Sequence, residues 1–262
     1  MSLENKVKIF TSLILAYKMS AVYTITFSES VENHKGMEIL GSKAAKGFDI
    51  EDLEKLCENF NGEEIVLNYL DKHDPATVII FRDGLKRIFG IDEADLFREQ
   101  AILQKDTKCL MYGRVVNKKA RHNLCFDDFS QAPDYESGKG TVVNFESQPL
   151  LNELRKNLGE KFGADFENLK AEGNYYYDPK KCYIGFHGDT ERSKVVGVRL
   201  GCSFPLHYQW YVDGEAQGEI MSLDLNGGDI YIMSEKAVGS DWKKKKIYTL
   251  RHAAGDLKNC GK

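Results

Sequence analysis

The chain has 262 residues, room for one large domain or two small ones. Apolar residues make up 42% and charged residues 29%, an ordinary globular composition that excludes disordered, collagen-like and coiled-coil classes. Thirty-six Lys and Arg against forty Asp and Glu leave a formal charge of -4, so no global positive field gathers nucleic acid or anionic lipid, and any such binding has to be local.

At the start of the chain, Lys6 and Lys8 precede a short apolar run from Ile9 to Tyr17, but Glu4 interrupts the would-be basic region and Lys18 cuts the run. Residues 1–20 therefore read as a strand or helix of the fold, with a cleaved signal as the alternative, and no stretch is long enough to span a membrane. Residues 22–27 are rich in β-branched and aromatic side chains and predict a strand. Asp49 can cap a helix whose apolar residues Ile50, Leu53, Leu56, Cys57 and Phe60 fall at helical spacing, with Asn61-Gly62 ending it. Residues 65–70 and 78–81 are further strand candidates, and 92–104 a second helix. This makes residues 1–105 an N-terminal α+β region, expected to pack as a cap on the rest.

From residue 106 to 262 the texture changes to short β-like runs broken by Gly, Pro, Asn and Asp. One more helix is expected at 149–162, with Leu150, Leu151, Leu154 and Leu158 on one face. Strands then follow at 182–187, 195–200, 206–212, 220–225, 230–233 and 246–253, and Asp213-Gly214 and Asn226-Gly227-Gly228-Asp229 fit hairpin turns. Six short strands at close spacing predict a barrel or jelly roll, so the fold class is α+β. The six cysteines never form a Cys-x-x-Cys pair, which excludes a zinc ribbon and a thioredoxin motif and favours a reducing compartment, cytoplasmic or nuclear.

The chemistry concentrates at His187-Gly188-Asp189, ending one strand, and His252 near the end of the last. In a strand, positions 187 and 189 project to the same side, so both can reach one ion while His252 arrives from a distant strand. Two imidazoles and one carboxylate on one face of a metal leave three positions open, which suits Fe(II) binding an oxo-acid and O2. His207 reads as a structural histidine, and the four lysines 243–246 as a solvated turn.

The segments Tyr177-Asp-Pro-Lys-Lys-Cys-Tyr-Ile-Gly-Phe-His187-Gly-Asp189-Thr-Glu191, Val195-Val-Gly-Val-Arg-Leu-Gly201, Gly228-Asp-Ile-Tyr-Ile-Met233 and Arg251-His252-Ala-Ala-Gly255 resemble, in that order, the AlkB-like branch of the Fe(II)/2-oxoglutarate dioxygenases. The resemblance covers about residues 108–255. It implies a double-stranded β-helix (jelly-roll) core with supporting helices, and Fe(II) bound by His187, Asp189 and His252. It also implies an enzyme that uses 2-oxoglutarate and O2 to hydroxylate or oxidatively demethylate a substrate. That substrate would be a modified nucleic-acid base, flipped out or single-stranded, with a protein side chain or a small metabolite as alternatives.

Carried over residue by residue, the resemblance gives Tyr177 the role of hydrogen-bonding the oxo-acid. Glu191 stands where the family touches substrate, and weighs evenly against a solvated loop carboxylate. Arg121 and His122, with Arg114, Lys118, Lys119 and Tyr112, form the densest basic segment, where the family places its substrate lid. One departure stands out. The family grips the distal carboxylate of 2-oxoglutarate with an Arg on the strand after the distal His, and here only Lys258 and Lys262 follow His252 as cations. Arg199 is the candidate replacement, since a charge in the apolar run Val-Val-Gly-Val-Arg-Leu is costly to bury unless it meets a carboxylate, and Arg251 is the reserve. A protein carboxylate, or solvent at an edge strand, is the other explanation for Arg199. Against the enzyme stand a non-catalytic β-helix binding module, suggested by the missing Arg, and an unrelated β-barrel such as a cupin with an accidental His-x-Asp.

Overall fold

A computed structural model describes residues 21–69 and 73–261, so the element expected over residues 1–20 lies outside the described residues. The chain begins with β1 (Val22–Ser28), β2 (Ser30–Glu32) and β3 (Ile39–Gly41), then α1 (Ile50–Asn59), β4 (Glu63–Val66), β5 (Thr77–Phe81), α2 (Gly84–Phe89) and α3 (Glu93–Ala101). It continues through β6 (Lys108–Met111), β7 (Arg114–Asn117), β8 (His122–Asp127), β9 (Val142–Asn144) and α4 (Pro149–Phe162). The last third is β10 (Lys170–Tyr176), β11 (Tyr183–His187), β12 (Val195–Gly201), β13 (Phe204–Val212), β14 (Glu215–Leu225), β15 (Ile230–Met233) and β16 (Thr249–Gly255), with two single-turn helices near the end.

The local signals explain these boundaries. Asp49 and Asp92 cap α1 and α3, each carboxylate accepting from the backbone N–H two residues on, and α4 opens on a proline whose missing N–H is one the first turn leaves unpaired anyway. The β13–β14 hairpin turns through Asp213 (φ 51) and Gly214 (φ 86), both left-handed, as a two-residue turn requires to match the strand twist.

The architecture is mixed α+β, with most of its regular structure in two sheets. The larger has eight strands in the order β4-β5-β15-β12-β1-β10-β8-β9, and the smaller four in the order β11-β16-β13-β14. Alternation along each strand of the large sheet sorts side chains to two faces. Tyr23, Ile25, Phe27, Val196, Val198, Leu200, Ile230 and Ile232 pack against Leu53, Leu85, Leu96, Leu151, Leu154 and Leu158 of the helices. The opposite face presents Val78, Ile80, Val195, Tyr231 and Met233 to Leu206, Tyr208, Trp210, Leu223, Leu225 and Leu250 of the small sheet. Each such side chain contributes about 1.5–3 kcal/mol when fully buried.

The described residues from 21 to 105 are not a cap laid over the rest. Strand β1 lies between β10 and β12, antiparallel to both, and is buried along its whole length, while β5 pairs with β15 and carries β4 at the sheet edge. Strands from both sides of residue 105 thus share one sheet. On the inner face of that sheet, three adjacent strands exchange apolar for polar side chains: Glu172, Asn174 and Tyr176 on β10, Thr24 and Thr26 on β1, and Arg199 on β12. All six line one cavity.

Candidate metal centre

The cavity, of about 290 Å3, lies between the two sheets, with His187, Asp189 and His252 on its wall. His187 ends β11 and stands directly opposite His252 of β16 in the ladder, their rings 4.5 Å apart between centroids. Candidate ligand atoms of His187, Asp189 and His252 all lie within 4.8 Å of one another, close enough to share one ion. Asp189 Oδ1 is 3.4 Å from His187 Nε2 and 3.8 Å from His252 Nε2. His187 Nδ1 lies 2.8 Å from the Gly185 carbonyl and 3.0 Å from that of His252, so as the protonated nitrogen it donates there and leaves Nε2 a free lone pair toward the cavity.

Two glycines make this possible. A Cβ at position 188 would stand 2.0 Å from the Gly239 carbonyl oxygen and 2.7 Å from Trp242 Cδ1, so the residue between the two ligands has to be glycine for the loop to close against the chain. At position 197 a Cβ would fall 2.0 Å from the Tyr231 ring, which lies across β12 and enters the cavity through the space the glycine leaves.

The electrostatics suit a cation. Burial opposes ionisation of Asp189, but Arg192 and the two imidazoles outweigh it and hold its carboxyl well below the usual range. Burial, together with the neighbouring His187, pushes the His252 imidazole down to about 4, so it stays neutral and able to ligate near neutral pH.

Arg199 occupies the buried end of the cavity. Its side chain is 0% exposed, yet no carboxylate among the described residues lies within ion-pair distance of it. One guanidinium nitrogen donates to Thr24 Oγ1, the group sits 5.3 Å over the Phe204 ring, and its Nε has no hydrogen-bond partner among the described residues. Burial lowers its pKa, and Tyr231, Tyr176, Asp229 and Cys202 counter this without overcoming it.

The remaining candidates divide between the cavity and its outside. Glu191 lines it, but its Oε1 accepts from Arg192 at 2.8 Å. Arg121 lines it and donates from Nε to Asn174 Oδ1. Tyr177 is not a lining residue: it follows the last residue of β10, is 38% exposed, and its hydroxyl donates to the Lys119 carbonyl at 2.7 Å. Its neighbour Tyr176, one position back and therefore on the inner face, is the tyrosine beside Arg199. His122 is not a lining residue either: its ring lies tilted against that of Tyr177, 4.7 Å between centroids. Arg251 precedes His252 and so points to the other face of β16, its guanidinium 3.8 Å over the Tyr211 ring. His207 is structural, bonded to Ser222 Oγ and the Gly255 carbonyl, both at 2.8 Å.

Sequence reasoning missed Tyr176, Tyr231, Thr24 and Arg192. Strand parity carried the signal for three of them: Thr24 and Thr26 are the polar alternates of an apolar strand, Tyr176 shares the parity of Glu172 and Asn174, and Tyr231 faces the glycine at 197.

Comparison with known proteins finds the uncharacterized protein R156 of Acanthamoeba polyphaga mimivirus, 46% identical over 243 residues, which span 88% of this chain and 94% of the viral one. The chain belongs to the family of that viral protein. No protein-family model matches it. No helix among the described residues is long and apolar enough to cross a membrane.

Proposed function

We propose that the protein is an Fe(II)- and 2-oxoglutarate-dependent dioxygenase, built on a double-stranded β-helix, that hydroxylates or oxidatively demethylates its substrate. One observation carries the proposal: a single cavity holds a His-Asp-His set able to share an ion and, at its buried end, a guanidinium that no carboxylate among the described residues answers. A buried, unanswered guanidinium is accounted for by an anionic ligand, and a carboxylate is the group its fork fits. A dicarboxylic oxo-acid bridges the two features, one end toward the ion and the other toward Arg199.

The β-helix reading is supported by the path of the chain. From β10 to β16 it runs large sheet, small, large, small, small, large, small, winding the two sheets together. The cation that the resembling family draws from the strand after the distal His would come here from β12, beside the N-terminal strand β1.

Fe(II) held by His187, Asp189 and His252 would supply O2 activation coupled to oxidative decarboxylation of 2-oxoglutarate. The chain's own residues bind and orient. Arg199 receives the far carboxylate, with Tyr176 and Tyr231 beside it as hydroxyl donors, and Thr24 holds Arg199 in place. The apolar Leu206 and Ala254 help exclude water from that end. At the other end, Lys35, Arg121 and Trp242 line the entry. A basic and aromatic entry supports a modified nucleic-acid base as substrate, with a protein side chain or a small metabolite as the alternative.

Equilibrium binding of 2-oxoglutarate tests the proposal. Binding should require a divalent ion and be lost in both Asp189→Ala and Arg199→Ala. Metal-independent binding, or binding unchanged in Arg199→Ala, would contradict it.

A further inference from the structure

Residues 188–194, joining β11 to β12, form no helix or strand, yet they carry the carboxylate of the candidate metal centre. Something has to hold that carboxylate still, because a ligand on irregular backbone otherwise loses side-chain entropy each time an ion binds. Arg192 is the group placed to do so. It is 3% exposed, its Nε donates to Glu191 Oε1 at 2.8 Å, and its Nη2 donates to Glu172 Oε2 at 3.0 Å. The same Nε lies 3.6 Å from Asp189 Oδ2.

The partners make this a joint between the loop and the large sheet. Glu172 stands on β10, and its other oxygen accepts from Asn123 Nδ2 of β8 at 3.1 Å, so Arg192 is anchored to two paired strands. Asp189 is divided between two neighbours: Oδ2 faces the guanidinium, and Oδ1 faces both imidazoles at 3.4 and 3.8 Å. Three carboxylates, those of Asp189, Glu191 and Glu172, surround one guanidinium, and a divalent ion at the imidazole side would offset the surplus negative charge. Lysine would serve the three carboxylates less well, because its ammonium is a point charge on a flexible stem and lacks the planar fork that spreads donors over both sides.

We infer that Arg192 is a positioning residue: it fixes the Asp189 carboxylate with Oδ1 turned toward the ion, and Glu172 in turn fixes Arg192. The inference rests on the metal-site reading and adds residues to it. Glu191 is thereby committed to Arg192 and is not free to meet substrate.

Calorimetric titration of the metal-free protein with Co2+ separates the two. The wild type should bind one ion and Asp189→Asn should not. Arg192→Gln should bind about 10–100-fold more weakly, the usual effect of losing a group that orients a ligand, with Arg192→Lys intermediate. Because Arg192→Gln strands the buried Glu172 carboxylate, the double variant Arg192→Gln/Glu172→Gln provides a neutral pair in place of that ion pair; it should fold, bind Co2+ as weakly, and show an altered visible spectrum of the bound ion. Wild-type affinity in the folded double variant would overturn the role of Arg192 and leave the metal centre standing. A wild type that binds no ion would overturn both.

Discussion

Thr24 and Arg199 face each other across the β1–β12 ladder, and the Thr24 hydroxyl accepts from the Arg199 guanidinium. An N-terminal strand and a strand near the ligand loop thus build the buried end of the cavity together. Replacing Thr24 by Val keeps the shape and leaves a buried charged donor without its acceptor. The expected loss is about 1–3 kcal/mol in urea unfolding, with weaker 2-oxoglutarate binding. A neutral effect on both would show that the pair positions nothing.

Arg199 also predicts an inversion of stability and function. A buried charge with no ion-pair partner is costly, so Arg199→Met should leave the ligand-free protein as stable as wild type or more so. The wild type should gain about 2.7 kcal/mol at 2-oxoglutarate near 100 times its Kd, and the variant should gain nothing. Thermal unfolding with and without ligand reads both. Strong destabilisation of the free variant with the ligand effect intact would contradict the assignment.

Glu32 gives a pH dependence. Burial, with repulsion from Glu191 and Glu172, pushes its carboxyl up to about 7, against weaker opposition from the Gly36 backbone and Arg192. A carboxyl raised on folding favours the folded state while protonated, and that contribution is lost as pH climbs from the unfolded value through about 7. Glu32→Gln should therefore gain stability relative to wild type as pH rises. At about 1.36 kcal/mol per pKa unit, discounted for the group's partial exposure, the gain is about 1–2 kcal/mol. Urea unfolding near pH ~5 and ~8 should show the difference appearing at the higher value; an equal difference at both would rule this out.

The two glycines should separate the two halves of the cavity. Gly188→Ala drives a Cβ into the Gly239 carbonyl and should cost about 1–3 kcal/mol, with loss of metal affinity. Gly197→Ala meets the Tyr231 ring instead, and should spare metal binding while weakening 2-oxoglutarate binding. Titration of each variant with Co2+ and then with 2-oxoglutarate checks this pairing; equal loss of both ligands in both variants would argue against it.

What could be read from the chain beforehand follows from which signals are local. His187 and Asp189 were legible as a His-x-Asp spacing at the end of a strand, although β11 stops at His187 and Asp189 sits on the loop after it rather than on the strand, and Arg199 because a charge inside an apolar strand demands an explanation. Tyr177 and Tyr176 differ by one position in the run Tyr175-Tyr176-Tyr177, and only the end of β10 decides which of them faces inward. The role of β1 was not legible at all, since its pairing with residues near 176 and 200 is a long-range property that its own composition does not report. Arg192 was hidden for a related reason: Thr-Glu-Arg-Ser-Lys reads as a solvated loop until Glu172 is brought beside it.

The decisive measurement is succinate formation from 2-oxoglutarate when O2 is admitted to the anaerobically iron-loaded protein, for the wild type, Asp189→Ala and Arg199→Ala. It needs no knowledge of the prime substrate, because slow turnover without it still yields succinate. Succinate from the wild type, absent in Asp189→Ala and sharply reduced in Arg199→Ala, is the predicted result. An iron-loaded wild type that forms none, or an Arg199→Ala variant that matches it, would contradict the joint assignment of the metal centre and its carboxylate anchor.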